Sequence, residues 1–166
     1  MFKIIVAYCR NRGIGYKGSI PWKMKQDMNH FKKTTIGGSN NAIIMGKKTW
    51  LSLSKRPLPQ RDNLILSTTL KEENCFSSIT EIKSYCLNKK YEEVWIIGGQ
   101  QIYEQFMRQA DISEICVTFI DNKYKCDTFF PIIPQWFSID KKSDFYKENG
   151  IPFQYQFYGR PDKRLQ

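Results

Sequence analysis

Asp27 stands three residues after Met24 and four before Phe31, with Met28 beside it, so on a helix the acid shares a stripe with apolar side chains. A carboxylate there loses hydration, which raises its pKa unless a donor on a ligand or neighbour supports the charge. Such a group is a candidate proton handler, or a clamp for a cationic ligand. The alternative is that Asp27 lies at the stripe's edge, exposed, and merely favours a helix N-terminus. Helix geometry alone leaves both readings standing.

Two glycine-bearing strand ends bear on phosphate. Ile43-Ile44-Met45-Gly46 runs into Lys47-Lys48-Thr49, which sets free backbone N–H groups and two cations at a helix start. Ile96-Ile97-Gly98-Gly99 runs likewise into Gln100-Gln101-Ile102, where paired glycines let a pyrophosphate approach the backbone closely. Neither matches G-x-G-x-x-G or a P-loop. Glycine after a strand is often only a turn, but two such ends in one small domain favour dinucleotide binding. Ser67-Thr68 after Leu66 offers hydroxyls for a further phosphate, or is an ordinary strand exit. Arg61 follows the proline-framed Arg56-Pro57-Leu58-Pro59-Gln60, where a held guanidinium could clamp a carboxylate bidentately; a solvated arginine is the alternative.

The elements that must position these groups read as alternating strands and helices. Phe2 to Cys9 is nearly continuous in apolar residues, the mark of a strand covered on both faces. Ala42–Met45, Asn63–Leu66, Val94–Ile97 and Ile115–Ile120 repeat the pattern. Helices are expected around Met24, Met28 and Phe31, at Trp50 and Leu53, from the capping box Ser78-x-x-Glu81 into Ile82, Tyr85 and Cys86, and at Ile102, Tyr103 and Phe106. This order predicts an α/β fold, a mostly parallel sheet flanked on both faces, in one domain over residues 1–166. Phe137–Tyr146 and Phe153–Tyr158, joined through Asn149-Gly150, predict a closing antiparallel hairpin. Residues Arg10 to Trp22 carry Gly13, Gly15, Gly18 and Pro21 without periodicity, and read as a lid leaving the first strand, or as a plain surface loop.

Composition narrows the classes. The hydrophobic share of 41% and charged share of 25% are ordinary, and no apolar run approaches the ~20 residues of a membrane span. The first residues enter a strand directly, without a leader's features, which gives a cytoplasmic expectation. The cysteines at 9, 75, 86, 116 and 126 form no C-x-x-C pair, and His30 has no second histidine, so no metal site is expected. Cys9 and Cys116 fall in apolar strand patterns as small buried hydrophobes. The net charge of +10 is scattered, which suits attraction of small polyanions better than a nucleic-acid surface.

In order and spacing the chain resembles dihydrofolate reductase. The resemblance rests on Gly15-x-x-Gly18-x-Ile20-Pro21-Trp22, Asp27 and Phe31, Gly46-Lys47-Lys48-Thr49-Trp50, Arg56-Pro57-Leu58-Pro59-x-Arg61, Ile97-Gly98-Gly99 and Asp127-Thr128-x-Phe130-Pro131. It implies an eight-stranded sheet with four helices, NADPH as hydride donor, and 7,8-dihydrofolate as acceptor on the way to tetrahydrofolate for thymidylate and purine synthesis. On the same basis Asp27 would bind the pterin's amidine-like edge and promote protonation at N5, supported by Thr118 and a water near Trp22, with Tyr103 bordering the reaction site. Ile5, Val6, Ala7, Met28, Phe31, Leu53 and Ile97 would wall the pterin and benzoyl pocket. Arg61 would bind the glutamate α-carboxylate, and Arg56 and Leu58 complete the substrate set. The cofactor set would be Ala7, Ile14, Gly15, Gly18, Ser19, Ile20, Gly46, Lys47, Lys48, Thr49, Leu66, Ser67, Thr68, Ile97 to Tyr103, and Gln105. Within it, Gly98, Gly99, Gln100, Gln101 and Ile102 form one helix start. Lys47, Ser67 and Thr68 would meet the 2′-phosphate, and residues 14–20 would close over the nicotinamide. An aspartate at 27 leans toward a bacterial-type enzyme, and with no thymidylate synthase portion after the last strand a monofunctional one is expected. A monomer that binds antifolates, without nucleic acid or membrane, is the family expectation.

Two rivals remain. A pyrimidine reductase of the same fold would lack a use for Asp27 together with Arg61. A nucleic-acid-binding protein would group its basic residues with exposed aromatics, whereas the aromatics here fall at core positions of the strand and helix patterns.

Overall fold

Phe2–Tyr8 is apolar at both parities, so neither of its faces can be left to water, and it becomes the interior strand β1 of the sheet. The computed structural model describes residues 2–163. Along the chain follow β2 (Gly13–Gly15), α1 (Lys25–Ile36), β3 (Asn41–Gly46), α2 (Lys47–Ser52), β4 (Asp62–Leu66), β5 (Cys75–Phe76), α3 (Ile79–Lys89), β6 (Glu93–Gly98), α4 (Gln100–Gln109), β7 (Ile112–Ile120), β8 (Thr128–Phe129), β9 (Ser138–Glu148) and β10 (Ile151–Gly159), with a 3-10 turn at Pro161–Lys163. The eight-stranded sheet has the order β5-β4-β3-β6-β1-β7-β10-β9. Every neighbouring pair is parallel except those made by β10, which runs against both β7 and β9. The predicted α/β architecture, with four helices and an antiparallel close, is the one observed.

Alternation along the strands sorts the core into two faces. Ile4, Val6, Ile44, Ile96 and Val117 pack with Ile82 of α3 and Ile102, Tyr103 and Phe106 of α4. On the other face Ile5, Ile43, Met45 and Cys116 pack with Trp50, Phe31, Leu53 and Ile97. Burying Phe106 completely contributes about 2–3 kcal/mol, enough to hold α4 flat on the sheet. That approach needs a glycine at position 46, because a Cβ there would stand 2.8 Å from Ile102 Cγ1.

Local signals act as expected. Ser78 Oγ accepts from the Glu81 N–H at 3.2 Å, and Glu81 reaches back to the Ser77 N–H at 2.9 Å, one residue earlier than a reciprocal box. Asn149 and Gly150 take φ of 52° and 76°, the pair of positive values a tight hairpin turn requires.

Two expectations, the Met28 stripe and the core placement of all aromatics, are corrected, and two segments gain detail that the sequence did not carry. Met28 is 62% exposed and lies outside the buried stripe of α1, because the stripe is narrower than the spacing suggested: Met24 ends it at the N-terminus and Thr35 is the buried residue within the helix. Within residues 10–22, β2 pairs with β8 as a second sheet, and Tyr16 and Ser19 exchange backbone bonds in a tight turn. β9 is an exposed edge strand carrying Lys141, Lys142 and Lys147, charges that discourage pairing with another edge. Trp136, Phe145 and Tyr146 are exposed, so not all aromatics are core residues.

Candidate active site

Strands β1, β6 and β7 end side by side, and the α1 face at those ends gathers the residues singled out by chemistry. Thr118 of β7 is 2% exposed and points, like Cys116 two residues earlier, toward the α1 side. Its hydroxyl donates to Asp27 Oδ1 at 2.6 Å. Asp27 is therefore not the exposed edge residue of the alternative reading. Burial raises its pKa above the ordinary value, the Thr118 hydrogen bond draws it back, and the Glu148 charge raises it further.

Around this acid the walls are apolar. Ile5 and the half-buried Ala7 of β1, Ile97 of β6, Phe31 of α1, Leu53 and Leu58 all face this side. Val6 does not: its side chain belongs to the opposite core, so only its backbone borders the cleft. Trp22 is 9% exposed and packs its ring against Tyr124 at 5.3 Å, closing the end beyond Met24. Tyr155, paired with Thr118 across β10, stacks on His30 at 4.1 Å; burial first, and then Asp27's charge, push its hydroxyl up to about 12. His30 titrates below its ordinary value because it is buried.

Arg61 is 9% exposed, held by Nε to Pro59 O at 2.8 Å and by Nη1 to Thr35 Oγ1 at 2.9 Å. Among the described residues no carboxylate occupies the rest of the fork. It lines a polar hollow of about 440 Å³ with Gln60 and Tyr91. The proline loop that carries it is stapled by Asn63, whose side chain bonds Leu58 N at 2.9 Å and Leu58 O at 2.9 Å. Arg56 lies over the Trp50 ring at 5.6 Å and is exposed. Thr35 and Asn63 had no sequence signal as site supports, since a buried polar side chain looks like any other Thr or Asn until its partners are known.

Across the sheet's carboxyl edge, Gly46 caps α2 and Gly99 caps α4 without any side-chain bond, leaving first-turn N–H groups to a ligand. The Gly98–Gly99 peptide is cis. Gly98 has φ of 116°, and a Cβ on it would sit 3.2 Å from the Tyr103 ring. Tyr103 itself is 4% exposed and its hydroxyl donates to Ile5 O at 2.8 Å, which ties α4 to β1; burial keeps the phenol neutral. Lys47 is exposed, with Nζ on Thr69 Oγ1 at 3.1 Å; Lys48 is exposed and Thr49 half-buried. Ser67 Oγ accepts from the Thr69 and Leu70 N–H groups at 3.2 and 3.0 Å, while Thr68 is exposed. Thr69, missed from sequence, is thus the hydroxyl that meets Lys47. These uncapped helix starts, glycines and Lys47 suit a dinucleotide bearing several phosphates.

The loop of residues 10–22 borders the same ends. Gly15 O accepts from Asp127 N at 2.9 Å and Lys17 N donates to Asp127 Oδ2 at 3.0 Å, so the β8 segment holds the loop. Ile14 is half-buried in the α4-side core; Gly18, Ser19 and Ile20 are exposed, Ile20 by 65%. Gln100 joins α4 to β8 by accepting from Phe129 N at 2.8 Å, Gln101 is exposed, Ile102 is buried, and Leu66 and Gln105 are half-buried. No helix among the described residues is long and apolar enough to cross a membrane.

A family model described as dihydrofolate reductase matches residues 1–160. The chain is similar to the dihydrofolate reductase of Drosophila melanogaster, 39% identical over 93% of this chain and 95% of that protein. It is 37% identical to that of Aedes albopictus, over 98% of each, and 33% identical to that of Gallus gallus, over 93% of each. These relatives are animal, which corrects the bacterial leaning drawn from an aspartate at position 27.

Proposed function

The chain belongs to the dihydrofolate reductase family, and on that premise we propose that it reduces 7,8-dihydrofolate to 5,6,7,8-tetrahydrofolate at the Asp27 cleft, with hydride delivered to C6 and a proton to N5. The observation that carries this reading is the Thr118–Asp27 hydrogen bond within apolar walls. A carboxylate held this way accepts the N–H edge of a pterin and fixes the ring's orientation. Its raised pKa brings proton affinity closer to neutral pH than a solvated aspartate allows, which favours protonation at the ring nitrogen.

NADPH, when bound, supplies the hydride from its nicotinamide. Gly46, Gly98 and Gly99 would border its pyrophosphate, and Lys47, Ser67, Thr68 and Thr69 its 2′-phosphate. Residues 14–20 would exclude water over the nicotinamide. Arg61, its guanidinium fixed by Thr35 and Pro59, would take the substrate's glutamate α-carboxylate through its free N–H groups. The ligands are polyanions, and a +10 field raises their local concentration. On the same reading the protein works as a cytoplasmic monomer, and antifolates carrying an amidine-like edge compete at Asp27.

The test is to mix the purified protein with NADPH and dihydrofolate, follow the loss of absorbance of the reduced nicotinamide, and repeat with Asp27→Asn. The variant is expected to lose on the order of 10²–10⁴-fold in rate near neutral pH, and less as the solution is acidified, because pre-protonated substrate needs no help. An inactive wild type, or a variant equally fast at neutral pH, refutes the assignment.

A further inference from the structure

Helix α1 begins without a local cap. Its N-cap residue is Met24, whose side chain has no acceptor for the first-turn N–H groups and makes no cap bond. The cap comes from the far end of the chain: Glu148, the last residue of β9, accepts the Lys25 N–H on Oε2 at 2.6 Å and the Gln26 N–H on Oε1 at 2.9 Å. Asp27 is the next residue along. It could have folded back onto its own helix start, as an acid in the first turn commonly does, yet its carboxylate instead faces Thr118.

We propose that Glu148 is a positioning residue for Asp27: its carboxylate closes the start of α1, leaves Asp27 free to meet Thr118, and keeps a second negative charge beside the acid. The proposal deepens the reading of Asp27 as the substrate-binding acid and rests on it. A carboxylate at this helix start offsets the positive end of the helix dipole, which would otherwise strengthen the acidity of Asp27. The groups facing Asp27 are few. Among the described residues, β7 contributes the Thr118 hydroxyl, β9 contributes Glu148 and β10 the phenol of Tyr155, which in turn stacks on His30 of α1 at 4.1 Å and lies 6.0 Å from the Tyr146 ring. Tyr155 has its hydroxyl pushed up to about 12, and His30 is held below its ordinary value by burial, which leaves Glu148 as the other carboxylate of this set. Its charge acts in the direction that raises the pKa of Asp27.

The hairpin makes the arrangement rigid. Glu148 pairs with Ile151 across the Asn149-Gly150 turn, and β10 continues through Phe153 and Tyr155 beside Thr118. One short strand-turn-strand thus fixes both the cap and the neighbours of the acid.

The experiment compares wild type, Glu148→Gln and Glu148→Asp by carbon NMR titration of the Asp27 carboxylate in the ligand-free protein, alongside the pH dependence of NADPH oxidation with dihydrofolate. Gln keeps an acceptor and the side-chain length but removes the charge. The Asp27 midpoint is expected to fall by about half a pH unit, lowering the rate by about threefold on the limb above the midpoint and leaving it unchanged well below. Glu148→Asp restores the wild-type midpoint. An Asp27 midpoint that stays fixed in Glu148→Gln overturns the proposal, and so does a rate loss equal at every pH. The NMR titration needs no activity, so failure of the Glu148 proposal is distinguishable from failure of the functional reading in the Asp27→Asn assay.

Discussion

The Thr118 hydroxyl reaches across 91 residues of sequence to donate to Asp27 Oδ1 at 2.6 Å, and this bond fixes where the half-buried acid points. It holds the carboxylate against the sheet, at the carboxyl end of β7, rather than along the rim of α1.

Stability should vary with pH in a direction set by that acid. Asp27 has a folded-state pKa above its unfolded value, so its contribution to stability is full below the unfolded pKa and is lost as pH rises through the folded one. Asp27→Asn removes the titration. Its melting temperature relative to wild type should therefore rise as the solution goes from acid, where aspartate is protonated, to neutral pH. Calorimetry showing a difference independent of pH, or falling, would contradict the raised pKa of this acid.

Thr118→Val deletes the donor and keeps the shape. Without the hydroxyl the Asp27 pKa should climb further, since that bond is what draws it down, and the midpoint of the rate profile should move to higher pH. The lost bond to a charged acceptor should cost about 1.5–3 kcal/mol near neutral pH, measured by denaturant unfolding. A midpoint moving to lower pH is the adverse result.

Arg61→Lys keeps the charge and loses the planar fork that Thr35 and Pro59 orient. The KM for dihydrofolate should rise roughly tenfold or more, whereas a 7,8-dihydropterin lacking the glutamate should be reduced equally well by both proteins. Equal penalties on the two substrates would show that the guanidinium does not read the carboxylate.

Gly98→Ala places a Cβ 3.2 Å from the Tyr103 ring at a φ of 116° that L side chains rarely adopt. Loss of about 1–3 kcal/mol of stability is expected, together with weaker binding of NADPH measured by fluorescence titration. Wild-type stability and affinity in this variant would mean that the backbone at the end of β6 relaxes freely.

The sequence by itself determined what is local. Apolar runs such as Phe2–Tyr8 and Asn41–Gly46 carry burial on both faces, the Ser78–Glu81 cap starts α3, and Asn149-Gly150 turns β9 into β10, because periodicity, capping and turn chemistry act within a few residues. The same local signals marked Asp27 and the two glycine ends as candidates. They left Asp27 undecided between cleft and rim, put Met28 in a stripe it does not share, and gave no hint of Thr69 beside Lys47 or of Asn63 behind the proline loop. Those were decided by tertiary structure alone. The partners of Asp27 and of the α1 start, Thr118 and Glu148, lie 91 residues from Asp27 and 123 from Lys25, and hydrogen-bond donors and desolvation at such range exist only once the sheet has brought β7, β9 and β10 alongside α1.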